Sequence, residues 1–396
     1  MYTRTKETKV LRDPIHGYIH IDYQVIWDCL NAKEFQRLHR IHQLGGVFQV
    51  YHTAEHSRFA HSLGVYEIVR RMVSEIRDLS ESLSEQEKIQ VMCAGLLHDL
   101  GHGPFSHFFE NFQSFSHEKR TAMLIMDPNC EVHQALIRCD EQLPEKVVQI
   151  LQHTHPKKML SQMISSQLDA DRMDYLLRDA YETGTSYGTF DLERILRTMR
   201  VKNETLCMKE SGMHSVEDYI MARYHMYWQV YLHPDAKSYE LLIELFIKEY
   251  MKSDVVIPAI DCLKRDLSNQ EFVQMDEARL LYGFQEAASC SNPLLCEYAN
   301  AILDRHLLEW IENPSEEEKE RIKENLIQNG YALEDWYIEE KTKNSAYLPY
   351  TEEKSIIWIL NKKQELKPLS SCSEIVKALL RMENHLENRI YYRKNR

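Results

Sequence analysis

Apolar residues recur with helical spacing along most of the chain. From Val65 they fall at positions 65, 68, 69, 72, 73 and 76, the i, i+3, i+4, i+7 pattern of a helix packed on one face. Only 12 Gly and 11 Pro interrupt 396 residues, so a mainly α protein is predicted. Further helices are predicted at 87–97, 106–112, 117–126, 144–152, 161–181, 190–199, 215–231, 236–252, 275–289, 293–312 and 372–386.

Two segments have the features of β-structure. Residues Val10 to Ile21 alternate in character around Asp13-Pro14 and Gly17, which predicts a short hairpin. The stretch 336–369 is rich in Tyr, Ile, Thr and Trp and predicts two or three strands. Because the residue composition and the spacing of apolar residues change near residue 252, two domains are predicted: residues 1–252 and a smaller α+β lobe of residues 253–396.

Composition narrows the possible functions. The chain has 48 Lys+Arg against 61 Asp+Glu and a net charge of −13, which argues against long nucleic acid and anionic membranes as partners. Nine cysteines form no C-x-x-C pair, and no apolar run reaches the roughly 18–20 residues of a membrane span. The N-terminus lacks the apolar core of a signal peptide, so a cytoplasmic protein is expected.

Histidine and aspartate carry the candidate chemistry. Eleven of the 19 histidines lie within the first 117 residues, and His98-Asp99 follows an apolar helix directly. A carboxylate beside an imidazole is costly in a core unless a cation pairs with both, and a divalent ion such as Fe, Mn, Zn or Mg is the natural partner. His61 at a helix start and Asp171 on another helix complete an ordered H…HD…D set, although each alone is more often a capping or surface residue.

These residues lie within longer motifs. The sequence resembles the HD-domain phosphohydrolase superfamily, and within it the deoxynucleoside triphosphate (dNTP) triphosphohydrolases related to the mammalian SAM-and-HD-domain enzyme. The resemblance spans roughly residues 9–235, so no SAM domain is expected before it, and it implies an HD-domain helical bundle with a short N-terminal β-hairpin. It rests on DPIHG (13–17), FQRL (35–38), QLGG (43–46), HSRFAHSLGV (56–65), HDLGHGPFSH (98–107) and DRMDY (171–175), with Arg178 and Asp179.

The resemblance assigns roles position by position. It implies metal ligands at His61, His98, Asp99 and Asp171. It implies catalytic or phosphate-contacting groups at His107, its acidic partner Glu110, His102, His117 and Arg58. It implies a substrate site at Gln43, Leu44, Arg172, Tyr175, Asp179, Arg223, Tyr227 and Tyr231. Spacing agrees, because Asp171, Tyr175 and Asp179 share one helix stripe, although Arg223, Tyr227 and Tyr231 also suit an aromatic core face.

The resemblance implies a reaction. A metal-dependent triphosphohydrolase would cleave a dNTP to a deoxynucleoside and inorganic triphosphate, with a second Mg²⁺ on the substrate triphosphate. Two alternatives remain open at this point: another HD phosphohydrolase, such as a nucleotidase or phosphodiesterase, and a non-catalytic nucleotide-sensing scaffold. The first uses the same four ligands but gives no reason for Gln43, Tyr175 and Asp179 to occur together, and the intact ligand set argues against the second.

Relatives of this kind bind activating nucleotides between subunits of a homotetramer, a dimer of dimers. The corresponding positions here are Val10, Arg12, Asn31, Gln36, His39, Arg194 and Lys209. Asn31 stands where the mammalian enzyme has the acidic residue that reads guanine, and an amide presents one acceptor and one donor group instead of two acceptors. His39 replaces an Arg and Pro234 a Lys. A dNTP or GTP-like activator and a homotetramer are therefore expected, without a guanine-specific contact.

Overall fold

The computed structural model describes residues 2–343, 350, 355–381 and 386–394. Within these ranges the side chains of six residues are not described: His107, Phe108, Thr342, Lys343, Leu386 and Glu387.

The chain begins with the predicted hairpin. Strands β1 (Arg4–Asp13) and β2 (Gly17–Tyr23) pair antiparallel, with Val10 opposite His20. The Asp13 side chain accepts the backbone N–H groups of residues 15 and 16 at 2.8 and 2.9 Å, and Gly17 closes the turn at φ +73°. Ile19 and Ile21 of β2 are fully buried, so the hairpin is fixed to the helical core.

Thirteen helices follow up to residue 252, in the order α1 (Gln24–Asn31), α2 (Lys33–Gln36), α3 (Arg58–Glu75), α4 (Arg77–Ser82), α5 (Glu85–Leu97), α6 (His117–Met126), α7 (Glu131–Cys139), α8 (Leu143–Leu151), α9 (Lys158–Ile164), α10 (Ala170–Thr183), α11 (Leu192–Thr198), α12 (Met213–Met226) and α13 (Pro234–Lys252). Short 3-10 turns lie at 37–40, 45–49, 107–112, 210–212 and 261–264, and a π-helical turn lies at 227–231.

Helix α3 forms the centre of this bundle. Its predicted apolar stripe is buried as expected, with Val65, Ile68, Val69 and Met72 at 0% exposure, and it packs against α5 and α10. Ser57 caps its first turn, since the Ser57 side chain accepts the N–H of residue 60. Helices α3, α5 and α10 therefore form the frame on which the site residues lie.

Three helices predicted between residues 161 and 231 differ from those observed. The helix predicted at 161–181 is divided into α9 and α10, because Asp169 leaves the helical path and caps α10 by accepting the N–H of Arg172 at 2.7 Å. The helix predicted at 190–199 ends at 198, where a strand begins. The helix predicted at 215–231 changes at Tyr227 from α-helix to a π-turn.

The rest of the chain mixes helices and small sheets. Its elements, with the strands β3 and β4 that precede α12, are β3 (Met199–Lys202), β4 (Thr205–Lys209), α14 (Asn269–Gln274), α15 (Glu277–Ala287), α16 (Pro293–Leu303), β5 (Glu309–Glu312), α17 (Glu316–Gln328), α18 (Leu333–Trp336), β6 (Tyr337–Lys343), β7 (Trp358–Leu360), β8 (Leu366–Pro368), α19 (Leu369–Cys372), α20 (Glu374–Leu379) and β9 (Leu386–Tyr392). The strands form sheets in the orders β3-β4-β7-β8 and β5-β9-β6. A mainly α fold with small C-terminal sheets is thus confirmed.

Some of the strands in this part were predicted and others were not. Three strands do fall within 336–369, although residues 344–349 and 351–354 of that stretch lie outside the described residues. The helix predicted at 293–312 ends at Leu303, and 309–312 is strand β5. Of the final helix predicted at 372–386, residues 382–385 lie outside the described residues. The described part forms the end of α19 and the short α20, and Leu386 begins strand β9, which pairs with both β5 and β6. Tertiary pairing therefore outweighs local helical spacing here.

None of the helices in the described part of the chain is both long and apolar enough to cross a lipid bilayer. The domain boundary at 252 stays a prediction.

Candidate active site

The four predicted ligands meet where α3, α5 and α10 converge. His61 lies on α3, His98 and Asp99 follow α5, and Asp171 lies in the first turn of α10. His61 Nε2 is 3.1 Å from Asp171 Oδ1 and 3.8 Å from Asp99 Oδ2, while His98 Nε2 is 3.3 Å from Asp99 Oδ1 and 3.7 Å from Asp171 Oδ1. Two ring nitrogens and two carboxylates thus point at one common space.

The hydrogen bonds of His98 show which of its nitrogens is available to an ion. Nδ1 lies 2.9 Å from the Gly95 carbonyl oxygen, an acceptor only, so Nδ1 carries the proton. The buried Nε2 atom is then the nitrogen available to an ion; it faces the carboxylates and makes no hydrogen bond among the described residues. Burial opposes protonation of His98, but Asp99 and Asp171 outweigh burial and raise its pKa, so this position favours a cation. A buried ring nitrogen facing two carboxylates is the arrangement expected of a metal ligand, and two imidazoles with two carboxylates suit a divalent transition ion.

His61 is oriented by a buried ion network. Its Nδ1 donates to Asp174 Oδ2 at 2.8 Å, which directs Nε2 towards Asp171. Asp174 also accepts Nε and Nη2 of Arg178, both at 2.9 Å, and His16 Nε2 at 2.7 Å; Arg178 reaches Asp13 of the hairpin turn at 2.9 Å. Asp174 is completely buried. The hairpin is therefore linked to a ligand histidine through one carboxylate.

Gly64 of α3 allows Asp174 and Arg178 to lie close to the α3 backbone. A Cβ atom on Gly64 of α3 would lie 1.8 Å from Asp174 Oδ1 and 2.6 Å from Arg178 Nη2. Any side chain there would displace the carboxylate that orients His61. Gly64 in α3 is thus explained by close packing.

Charge compensation governs the proton affinities in this cluster. Burial raises the pKa of Asp99, but Arg58 and His98 outweigh burial and hold that pKa well below its usual range. Burial likewise opposes protonation of His61, but its hydrogen bonds to Asp171 and Asp174 raise its pKa to about 10. Both carboxylates of the site are therefore ionised at neutral pH, the form in which carboxylates bind metal.

A cavity of about 350 Å³ opens beside the ligand cluster. Most of the residues predicted to bind or act on substrate line it, together with residues not predicted. Its wall comprises Gln43, Leu44, Gly45, Val47, Arg58, Asp99, His102, Phe105, Ser106, His117, Asp171, Tyr175, Asp179, Tyr227, Tyr231 and Glu240. One end is formed by the ligand carboxylates and cationic or imidazole groups, and the other by Asp179 and the tyrosine rings. The Gln43 carbonyl oxygen lies beside Arg58 and Ser106.

At the metal end, Arg58 and His102 flank Asp99. The buried Arg58 forms an ion pair with Asp99, and its Nε donates to Ser106 Oγ at 2.9 Å. His102 Nε2 lies 3.3 Å from Asp99 Oδ1, and burial together with Arg58 holds the pKa of His102 well below its usual range. A fixed guanidinium and a neutral imidazole thus stand beside the same carboxylate.

His102 stacks on His117 with ring centroids 4.0 Å apart. Glu110, predicted as the partner of His107, lies with Oε1 2.8 Å from His117 Nδ1 and also accepts the His117 N–H at 3.1 Å. The side chain of His107, the predicted catalytic histidine, lies outside the described residues. His102, Glu110 and His117 also form a second group with metal-ligand spacing.

At the opposite end, Asp179 is buried and bonded on both oxygens. It accepts His56 Nε2 and the Tyr231 hydroxyl, each at 2.8 Å. The Tyr231 ring packs against Tyr175 and Tyr227 at centroid distances of 6.1 and 5.2 Å. Tyr227 and Tyr231 lie on the π-helical turn, a distortion frequent at functional sites.

Two arginines predicted to belong to the substrate site form ion pairs or hydrogen bonds beside the cavity. Arg172 pairs with Asp169 and donates to the Ser166 carbonyl at 2.5 Å, and Arg223 donates to the Gln167 side chain at 3.0 Å. Neither is among the residues that line the cavity, although both charges act on Tyr175.

The predicted activator positions lie on the surface of two separate regions. Val10 and Arg12 are exposed on β1, with Arg12 stacked over Tyr18 at 4.5 Å, and His39 stacks on Phe59 at 3.5 Å. Asn31 and Gln36 donate to backbone carbonyls at 2.7 and 2.8 Å. Arg194 donates to the Ser211 carbonyl, and Lys209 is exposed at the end of β4.

Sequence reasoning assigned no role to several residues of the site. Asp174, Arg178 and His16 lay within quoted motifs, and the i, i+4 spacing of Asp174 and Arg178 could have revealed their pairing. Glu240 and Glu277 come from beyond the motifs and had no sequence signal. They approach only through tertiary packing.

Comparison with known proteins identifies this fold and site. The HD domain model matches residues 58–179, the segment that carries all four ligand positions, and the HD associated region model matches residues 190–311. The chain therefore carries an HD domain whose His61, His98 and Asp99 could hold a metal ion.

The full-length relatives agree. The uncharacterized protein YwfO of Bacillus subtilis is 39% identical over 99% of this chain and 94% of its own length. A phosphohydrolase from Bacteroides thetaiotaomicron has the same fold, with a TM-score of 0.88 at 27% identity over 98% of this chain and 100% of its own. The chain thus belongs to the family of HD-domain proteins that carry an HD-associated region.

A third relative bears a specific activity in its name. The deoxynucleoside triphosphate triphosphohydrolase SAMHD1 homolog of Dictyostelium discoideum is 29% identical over 70% of this chain and 55% of its own length. The similarity therefore covers about half of that protein.

Proposed function

We propose that this protein is a metal-dependent dNTP triphosphohydrolase that releases a deoxynucleoside and inorganic triphosphate. The observation that carries the proposal is the buried Nε2 of His98, which makes no hydrogen bond among the described residues and faces Asp99 and Asp171. These two carboxylates line the same cavity as Tyr175 and Asp179. The first feature suits an ion that binds a phosphate, and the second suits a sugar with a hydroxyl group.

A divalent ion held by His61, His98, Asp99 and Asp171 would supply Lewis-acid polarisation of a phosphoryl oxygen and a lower pKa for water. The protein's own groups act around it. Arg58, fixed by Ser106 and Asp99, donates to negative charge as it develops on the α-phosphate. Water oxygen bonds to the α-phosphorus, the bond from phosphorus to the 5′-oxygen breaks, and that oxygen takes a proton. By the resemblance, His107 is the proton donor.

The sugar end provides selectivity in this proposal. Asp179 is held by His56 and Tyr231, so its carboxylate is fixed and can accept a further bond from a 3′-hydroxyl. Tyr175 packs beside it against Tyr231. Support for a dNTP comes from the relative named for that activity, and the homotetramer, the nucleotide activator and the cytoplasmic location stay predictions.

Product analysis tests the proposal. Metal-loaded protein is incubated with each dNTP alone and with an equimolar mixture, and the products are separated by anion-exchange chromatography. Deoxynucleoside and triphosphate in equal amounts are expected. Orthophosphate with a dephosphorylated nucleotide would instead indicate a nucleotidase, and tight nucleotide binding without turnover would indicate a sensor.

Variants link the activity to this site. His98→Ala should abolish turnover with loss of bound metal, because it removes a ligand. Asp179→Asn should retain metal but raise KM for dNTPs, because it weakens a sugar contact at the far end of the cavity. His214→Ala is the matched control for histidine loss, because the His214 side chain is 84% exposed and lines neither this cavity nor the neighbouring one lined by His98. It should leave both quantities unchanged.

A further inference from the structure

A glutamate from the HD-associated region reaches the wall of the substrate cavity. Glu277, the first residue of α15, is 3% exposed. Its Oε1 accepts the backbone N–H of Phe105 at 3.0 Å and of His42 at 2.9 Å, and its Oε2 pairs with His42 Nδ1. One buried carboxylate therefore joins two separate cavity segments.

The segment that Glu277 holds is conformationally unusual. Phe105 and Ser106 have φ values of 56° and 58°, two consecutive non-glycine residues in the left-handed region. Such backbone persists only where surrounding contacts fix it, and it is concentrated at functional sites. The Phe105 N–H bond to Glu277 is a contact of that kind.

A continuous series of hydrogen bonds runs from this segment to the ligand cluster. Ser106 Oγ donates to the His42 carbonyl at 2.7 Å and accepts Arg58 Nε at 2.9 Å, and Arg58 pairs with Asp99. The direction of the Arg58 guanidinium therefore depends on where the Phe105-Ser106 backbone lies.

A second buried contact joins the same two regions. Arg37, 1% exposed, donates through Nε to the Met275 carbonyl and through Nη2 to the His102 carbonyl, both at 2.8 Å. Residues 275–277 are thus linked to the 102–106 segment twice, directly by Glu277 at Phe105 and through Arg37 at His102.

We propose that Glu277 is a positioning residue of the active site, which holds the 102–106 segment so that Arg58 and His102 face the substrate phosphate. The inference rests on the phosphohydrolase function proposed above, but not on which nucleotide is cleaved. The HD-associated region then contributes directly to the reaction of the HD domain.

A purely structural role for Glu277 at the helix start is already filled by its neighbour. Asp276 is the N-cap of α15, accepts the N–H of Arg279 at 3.0 Å, and pairs with Arg40 on the protein surface. Asp276→Ala therefore weakens α15 without touching the 102–106 segment, and it is the matched control for Glu277→Ala.

The experiment compares the full-length, metal-loaded variants Glu277→Ala, Glu277→Gln and Asp276→Ala. Glu277→Ala should lower kcat by about 10- to 100-fold, since displacement of an active-site group by about 1 Å has effects of that size. Bound metal should stay close to wild type because the four ligands are untouched, and KM should change less than kcat because Tyr175 and Asp179 are untouched. Glu277→Gln should restore most of kcat, because its amide oxygen still accepts both backbone N–H groups.

Hydrogen exchange gives a readout that does not depend on turnover. Exchange at Phe105 should accelerate in Glu277→Ala and stay slow in Asp276→Ala. Wild-type kcat in folded Glu277→Ala, or an equal loss of kcat in Asp276→Ala, would overturn the inference. If Glu277→Ala does not fold, Glu277→Asp is used in its place. The shorter aspartate side chain cannot reach both backbone donors, so a Glu277→Asp variant as active as Glu277→Gln would also overturn the inference. An inactive wild type would count against the proposed function instead.

Discussion

Replacing Asp174 by Asn tests how the site is held in place. The substitution keeps the size of the side chain but removes the charge and turns one acceptor into a donor. Asp174 accepts four hydrogen bonds, two from Arg178, one from His61 and one from His16. An amide at this position must direct its N–H groups at one of these donors.

The expected magnitudes follow from burial. Arg178 is 1% exposed and would keep only Asp13 as a carboxylate partner, so the free energy of unfolding should fall by about 3–5 kcal/mol, the usual cost of a buried charge that loses its partner. His61 would lose the acceptor that fixes its ring, and loss of such a partner lowers metal affinity by about 10- to 100-fold. Those factors correspond to about 1.4–2.7 kcal/mol of binding free energy.

Urea unfolding of protein from which a chelator has removed the metal, at low temperature, measures the free energy of unfolding. Competition with a chromogenic chelator measures the metal affinity. Asp13→Asn is the matched control, because Asp13 also pairs with Arg178 but does not touch His61. It should cost stability and leave metal affinity within about twofold of wild type. Equal metal affinity in both variants would refute the inference that Asp174 orients a metal ligand.

Three further predictions concern the same region. Gly64→Ala should abolish metal binding and lower the melting temperature, measured by metal analysis and calorimetry, because its Cβ would overlap Asp174; unchanged metal content would contradict this. Glu240→Gln should be more stable than wild type at pH 8 by up to about 2 kcal/mol and equal near pH 4, because burial raises the pKa of Glu240 from 4.5 to about 6 and ionisation therefore opposes folding above that range; urea unfolding at both pH values decides it. Removing metal with a chelator should lower the melting temperature, and an excess of Mn²⁺ should restore it, because an ion bound only by the folded state stabilises that state.

The helical frame and the ligand set follow from local sequence pattern. The apolar stripe from Val65 defines α3, and the His98-Asp99 pair at the end of an apolar helix indicates a buried ion site. Strand β9 could not be predicted in this way, since its residues become a strand only by pairing with β5 and β6. The division between α9 and α10 depends on Asp169, whose capping role competes with helical spacing.

The wall of the cavity shows the same limit. Tyr175 and Asp179 share a stripe of one helix, so their proximity follows from spacing. Glu240 and Glu277 reach the cavity from helices distant in sequence, and local pattern contains no information on that approach. Arg172 and Arg223 bond to Asp169 and Gln167 beside the cavity, and their place in the substrate site stays a prediction.

The central claim is that this metal cluster removes triphosphate from a dNTP in one step. Chromatography of a reaction containing metal-loaded protein and α-³²P-labelled dNTP tests it most directly. The label is expected in inorganic triphosphate, with unlabelled deoxynucleoside formed in equal amount. Label found in a nucleoside mono- or diphosphate would contradict the proposed reaction. Absence of labelled triphosphate with the metal-loaded wild type, as with the inactive His98→Ala variant, would also contradict it.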